Sequence, residues 1–167
     1  IKKNNKVKLA SEFSSTVLLF EKGEKQKVKD QLIKIVKKKD TTYSPLALYF
    51  LIDNNLIENE NDINILFDIL IDEMNLKKEI KNLIIYKKAL FNSNLLDENS
   101  LIKLLNPIIN SESIWKSHSL FLMGEYFFSK KQENKSKEYF QKILSLENAN
   151  QNVKVEAQKR LNRDLGE

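Results

Sequence analysis

An all-α array of antiparallel helix pairs is the fold this sequence predicts, on three observations. Hydrophobic residues make up 41% of the 167 residues and charged residues 31%, with only three Gly and two Pro. A chain rich in Leu, Ile, Lys and Glu and poor in helix breakers is a helical one. Apolar residues recur at helical spacing along most of its length. Two stretches near opposite ends of the chain also read as copies of one helix–turn–helix unit, which is the mark of a repeat protein.

The clearer copy runs from Trp115 to Asn148. Leu120, Met123, Gly124, Phe127 and Phe128 lie at helical spacing on its first helix, and Ser136, Tyr139, Phe140, Ile143 and Leu144 on its second. The stretch fits the tetratricopeptide pattern without a gap. Leu120 takes the usual Trp slot, Met123-Gly124 the Leu-Gly slot, Phe127 the Tyr slot, Ser136 a small-residue slot and Phe140 the following aromatic. Small residues let two helices approach closely, and the aromatic fills the gap beside them. The pattern's turn Gly and final Pro are replaced by Lys131 and Asn148.

Taken in order, Lys2 to Lys8 reads as a basic, flexible lead-in. A first helix is expected from about Leu9 to Lys22, with Phe13, Val17, Leu18 and Phe20 on its apolar side and Gly23 ending it. A second carries Val28, Leu32, Ile35 and Val36 on one face, with Lys25, Lys29, Lys34 and Lys37 off it. This pair matches the same template, Phe13 aligning with Phe121 and Phe20 with Phe128. After a break at Thr41-Thr42, Ser44 reads as an N-cap and Pro45 as the first residue of a helix to about Asn55, carrying Leu46, Ala47, Tyr49, Phe50 and Leu51. Beyond a polar turn at Glu58–Asp62, the residues Ile63, Leu66, Phe67, Leu70, Ile71 and Met74 form a stripe. Ile65 and Ile69 give that helix a second apolar face, which predicts cover on two sides. A fifth helix, Leu76 to Phe91, turns Ile80, Leu83, Ile84 and Tyr86 inward. Asp97 caps a sixth with Leu101, Leu104, Leu105 and Ile108, which Pro107 should kink or end near Asn106. The last helix, from about Gln151, has Val153, Ala157 and Leu161 as its stripe and polar residues elsewhere, as a solubilising cap would. The expected whole is one right-handed tetratricopeptide-like domain over residues 1–167, about four pairs plus a C-terminal capping helix.

Chemistry is expected to be absent. There is no cysteine, so thiol and disulfide chemistry are excluded. His118 is the only histidine, so a histidine-based metal site or triad has nothing to build on, and a solvated or capping role is expected for it. Adjacent acids such as Asp72-Glu73 and Asp97-Glu98 point about 100 degrees apart on a helix and do not converge as an acid–base pair. No Gly-rich phosphate loop or zinc motif occurs. The reading is a non-enzyme without cofactor, metal or catalytic residues. Twenty-eight basic against 23 acidic residues leave a net charge of +5. Arg160 and Arg163 are the only arginines, which weighs against nucleic-acid recognition. No apolar run approaches the roughly 18 residues of a membrane helix. The chain begins with Ile, so it reads as a fragment from which any signal peptide or anchor has been cut away.

Trp115 reads as a hydrophobic staple onto the preceding helix pair. The candidate binding residues are Phe13, Phe20, Phe121, Glu125 and Phe128. In tetratricopeptide arrays the first helix of each pair lines the concave surface, and these positions point that way. Two readings stand: ordinary core packing, or a groove holding an extended or helical segment of a partner protein.

In the order of its segments the chain resembles the YfgM-type tetratricopeptide-like proteins, ancillary subunits of the SecYEG translocon. The resemblance rests on FEKGEKQKVKDQLIKIV, Tyr43-Ser44-Pro45-Leu46-Ala47, the Leu76–Phe91 helix, LIKLLNPI and the closing SIWKSHSLFLMGEYFFSKKQENKSKEYFQKIL run. It implies a periplasmic helical domain held at the bacterial inner membrane by an N-terminal helix. The partners it implies are translocon subunits, periplasmic chaperones or secreted chains. Two alternatives are a soluble or lipid-anchored adaptor in another envelope-biogenesis complex, and a Lys-rich domain binding RNA or anionic membrane.

Overall fold

The structure, a computed structural model, describes residues 2–166. Among the described residues it is all helical, with nine helices and no strand. They are α1 (Lys2–Glu21), α2 (Lys25–Lys37), α3 (Tyr43–Asp53), α4 (Glu60–Asp72), α5 (Lys78–Asn92), α6 (Glu98–Ile109), α7 (Lys116–Ser129), α8 (Glu133–Ser145) and α9 (Gln151–Asp164). The count of four pairs and a ninth helix agrees with a tetratricopeptide-like array. The chain divides into two compact units, Ile1–Lys77 and Lys78–Glu167.

In the first unit each helix packs on the next and on the one after: α1 on α2 and α3, α2 on α3 and α4, α3 on α4. That neighbour pattern is how stacked helix pairs bury a continuous core. Val28, Leu32 and Val36 of α2, Ala47, Leu48 and Leu51 of α3, and Phe67 and Leu70 of α4 are fully buried. Each large side chain contributes about 1.5–3 kcal/mol by leaving water. The helix α1 is longer than its apolar stripe: Lys2 to Lys8, expected as a flexible lead-in, is helical. No Gly or Pro interrupts it, so the helix propagates outward. Leu18, expected on the apolar side, is 58% exposed.

The start of α3 also corrects the expectation. Ser44 is buried in the first turn rather than capping it, its hydroxyl donating to Ile35 O (2.8 Å) and accepting from Asp40 N–H (2.8 Å). Asp40 does the capping, its carboxylate accepting from Thr42 N–H (2.9 Å) and Tyr43 N–H (2.8 Å). Pro45 is then the third helical residue, still where no donor is required. Asn59 caps α4 by accepting from Asn61 N–H (2.8 Å), so the turn ends earlier than Asp62. Ile65 of α4 is 57% exposed and Ile69 partly buried, and the cover expected over that second face is not found at Ile65.

The second unit repeats the neighbour pattern: α5 on α6 and α7, α6 on α7, α7 on α8 and α9, α8 on α9. Its centre is the α7–α8 pair. A Cβ at Gly124 would stand 2.7 Å from the Phe140 ring, so glycine is what lets the ring lie against the α7 backbone. Buried Ser136 donates to Gly124 O (2.8 Å). Leu120, Phe140, Ile143, Ala157 and Leu161 form one core cluster joining α7, α8 and α9. In α5 it is Ile84, Ile85 and Ala89 that are buried, whereas Ile80, expected inward, is exposed. Pro107 neither ends nor breaks α6, which runs on to Ile109. So near the C-terminus the ring removes a single ladder bond, and Ile108, fully buried, holds the last turn down.

Three pair-closing turns share one geometry across the chain. Gly23, Asn55 and Lys131 have φ of 85°, 51° and 59°. The following residue, Glu24, Leu56 or Gln132, donates back to Leu19 O (3.3 Å), Leu51 O (2.9 Å) or Phe127 O (2.9 Å) respectively. This is the left-handed helix stop that glycine favours, and Lys131 adopts it without being glycine.

Candidate functional site

The first helices of the first unit's two pairs, α1 and α3, carry an apolar face of half-buried side chains. Phe13 lies 5.8 Å from Tyr43, ring centre to ring centre, and Phe20 lies 5.2 Å from Phe50 in a perpendicular, edge-on arrangement. Val17 lies between the two phenylalanines in helical register, partly buried, and Leu46 between Tyr43 and Phe50, 42% exposed. On α3 burial pushes the Tyr49 hydroxyl up to about 12, so it stays a neutral donor at any physiological pH. Leu46 and Phe50 were read from the sequence as helix residues, and Tyr43 was placed before the helix start at Pro45. The signal that joins them to the site is their i, i+3, i+7 spacing, with aromatics thirty residues after Phe13 and Phe20.

Phe121, Glu125 and Phe128 are the corresponding face of α7, and in the second unit they meet α8 and α9. Phe121 packs edge-on against Phe140 (5.2 Å) beside the core cluster. Glu125 accepts from Arg160 Nε at 2.5 Å, and the same guanidinium lies 4.3 Å from the centre of the Phe128 ring. Arg160 is also paired with Asp164. Hydrogen bonding from Arg163, then Arg160, holds the Asp164 carboxyl below its usual range. The Arg160 side chain is only 13% exposed. The five candidate residues thus fall into two groups in separate units: Phe13 and Phe20 beside the rings of α3, and Phe121 against Phe140 of α8 with Glu125 and Phe128 beside Arg160 of α9.

Trp115 reaches the preceding pair as a staple would, its indole N–H donating to Glu79 O (3.1 Å) and its ring stacked on Tyr86 (6.3 Å, 12°). His118 differs from its expectation. It is half-buried, packed against Trp115 (5.2 Å) and Tyr86 (5.8 Å), with Nδ1 buried and unpaired. Burial pushes its pKa down.

Among the described residues no group of three or more His, Cys, Asp or Glu side chains is placed to hold a metal ion. No described helix is long and apolar enough to cross a membrane. Comparisons with protein-family models, with curated proteins and with solved structures return no match, so nothing there identifies the translocon-subunit family the sequence resembles.

Proposed function

We propose that the chain is a non-enzymatic protein-interaction module whose docking surface is the α1–α3 face of the first unit. One observation carries this: Phe13, Val17 and Phe20 on one helix and Tyr43, Leu46 and Phe50 on the next form a contiguous, partly exposed apolar strip. Such a strip marks a binding surface more often than a solvated one, and aromatic anchors of this kind carry most of the energy of peptide recognition. The finer reading is a membrane-tethered periplasmic subunit serving the translocon and periplasmic chaperones. It is supported by the segment resemblance alone.

A pull-down from bacterial envelope extract tests both levels. The chain is expected to capture translocon subunits or periplasmic chaperones, and a Phe13→Ala/Phe20→Ala variant of unchanged helicity to lose them. Capture of a different envelope complex, lost in the same variant, would keep the docking face and replace the translocon reading with the adaptor one. Equal capture by the variant would remove the docking face.

A further inference from the structure

Charge is sorted within the first unit. Residues 1–39 carry twelve lysines against four acids, +8, and residues 40–77 one lysine against eight acids, −7. The basic pair α1–α2 therefore holds an acidic pair, α3–α4, against itself. A second side of the basic pair is left uncovered by α3 and α4. There a groove of about 640 Å³ runs between α1 and α2. Its floor is Thr16, Leu19 and Ile35, and Lys8, Lys34 and Lys38 stand along its rim. Val7 at its edge is 65% exposed. Lys38 is paired with Glu12, while Lys8 and Lys34 stand exposed to solvent.

We propose that this groove is a second docking site, distinct from the aromatic face, and that its occupant is an acidic amphipathic helix. The groove's mixed floor, Leu19 and Ile35 beside Thr16, lies between cationic edges at Lys8 and Lys34. Those edges are complementary to the carboxylates that flank the stripe of an acidic amphipathic helix. The chain itself shows that pairing: α4, with Glu60, Asp62, Asp68 and Asp72, already packs its apolar stripe against α2 from another side. The basic residues of the lining are all lysines, with Glu12 beside Lys38, and this suits the occupant because lysine is a point charge with no planar fork to read bases.

The test uses the full chain and a fluorescent synthetic peptide of residues 59–74, which has five carboxylates and no lysine. Anisotropy is expected to show salt-sensitive binding. A Lys8→Glu/Lys34→Glu variant should bind at least tenfold more weakly, and a Ser15→Trp variant, which fills the groove, should not bind. A peptide with its acids changed to amides should also lose tenfold or more. Failure of the wild-type chain to bind overturns the proposal, as does undiminished binding by either variant with helicity retained. The same lysines could instead govern binding to vesicles of phosphatidylglycerol and phosphatidylcholine, or self-association in sedimentation. Either result without peptide binding would assign the groove to a membrane surface or to a second copy and overturn the proposal.

Discussion

The two units solve the same junction with different chemistry. Where the first helix of one pair meets the next helix in line, the first unit sets ring on ring, Phe20 against Phe50 and Phe13 against Tyr43. The second unit sets a cation on a ring, Arg160 over Phe128, with Glu125 closing the ion pair. A ring pair leaves an apolar strip partly open. A guanidinium covers its ring and turns a charged edge outward. The comparison teaches that a repeat register can be kept while the surface it presents changes from an apolar ring pair to a charged edge.

The largest effect expected from breaking this comparison is at Phe140, fully buried against Gly124. Phe140→Ala should cost about 3–5 kcal/mol. In urea unfolding the second unit should lose stability while the first keeps its own, and a loss shared equally by both would show one cooperative body instead. Next is Arg160→Ala, expected to cost about 1–2 kcal/mol: a desolvated cation–π contact plus an ion pair discounted because Glu125 is 41% exposed. High salt should recover the ion-pair share in the wild type–variant difference and leave the remainder.

Smaller again are the turns, where opposite substitutions should have opposite signs. Lys131→Gly should stabilise and Gly23→Ala destabilise, each by about 1 kcal/mol, because only glycine takes the left-handed conformation without strain. Thermal midpoints moving in the same direction would refute the shared-turn reading. The smallest effect is a pH slope at His118. Its folded pKa is depressed by burial. The unfolded chain therefore takes up the proton first, and the stability tied to the neutral ring is complete above the ordinary histidine value. It falls as pH drops below about 6.5, until the folded imidazole titrates too. His118→Phe should flatten that slope in unfolding curves taken from pH 7.5 to 5.

Much of the fold was legible because helical periodicity needs only neighbours a few residues apart. The stripe Val28, Leu32, Ile35 and Val36 is buried as its spacing demanded, as are Leu101, Leu105 and Ile108. The tetratricopeptide slots at Gly124, Ser136 and Phe140 meet in space because their sizes already implied a close crossing. Errors came where a local rule met a tertiary competitor. Ser44 has the side chain of an N-cap, but it turns inward to donate to the Ile35 carbonyl at the end of α2 and leaves the capping to Asp40. Pro107 was expected to kink α6 or end it near Asn106, and the helix instead runs on to Ile109 with Ile108 fully buried.

The candidate site was half legible. Phe13 and Phe20 could be placed on a first-helix face from repeat alignment alone, but whether that face was open or covered depended on residues thirty positions later. The sequence by itself determined the helical class, the approximate run of its helices and the sorting of charge between the first two helix pairs, because each follows from composition or short-range spacing. Only the tertiary structure decided that Phe128 lies under Arg160 while Phe20 lies beside another ring. It also decided that the lone histidine is half-buried against two aromatic rings. Those outcomes are set by which helices meet and at what depth, and no periodicity along the chain encodes that distance.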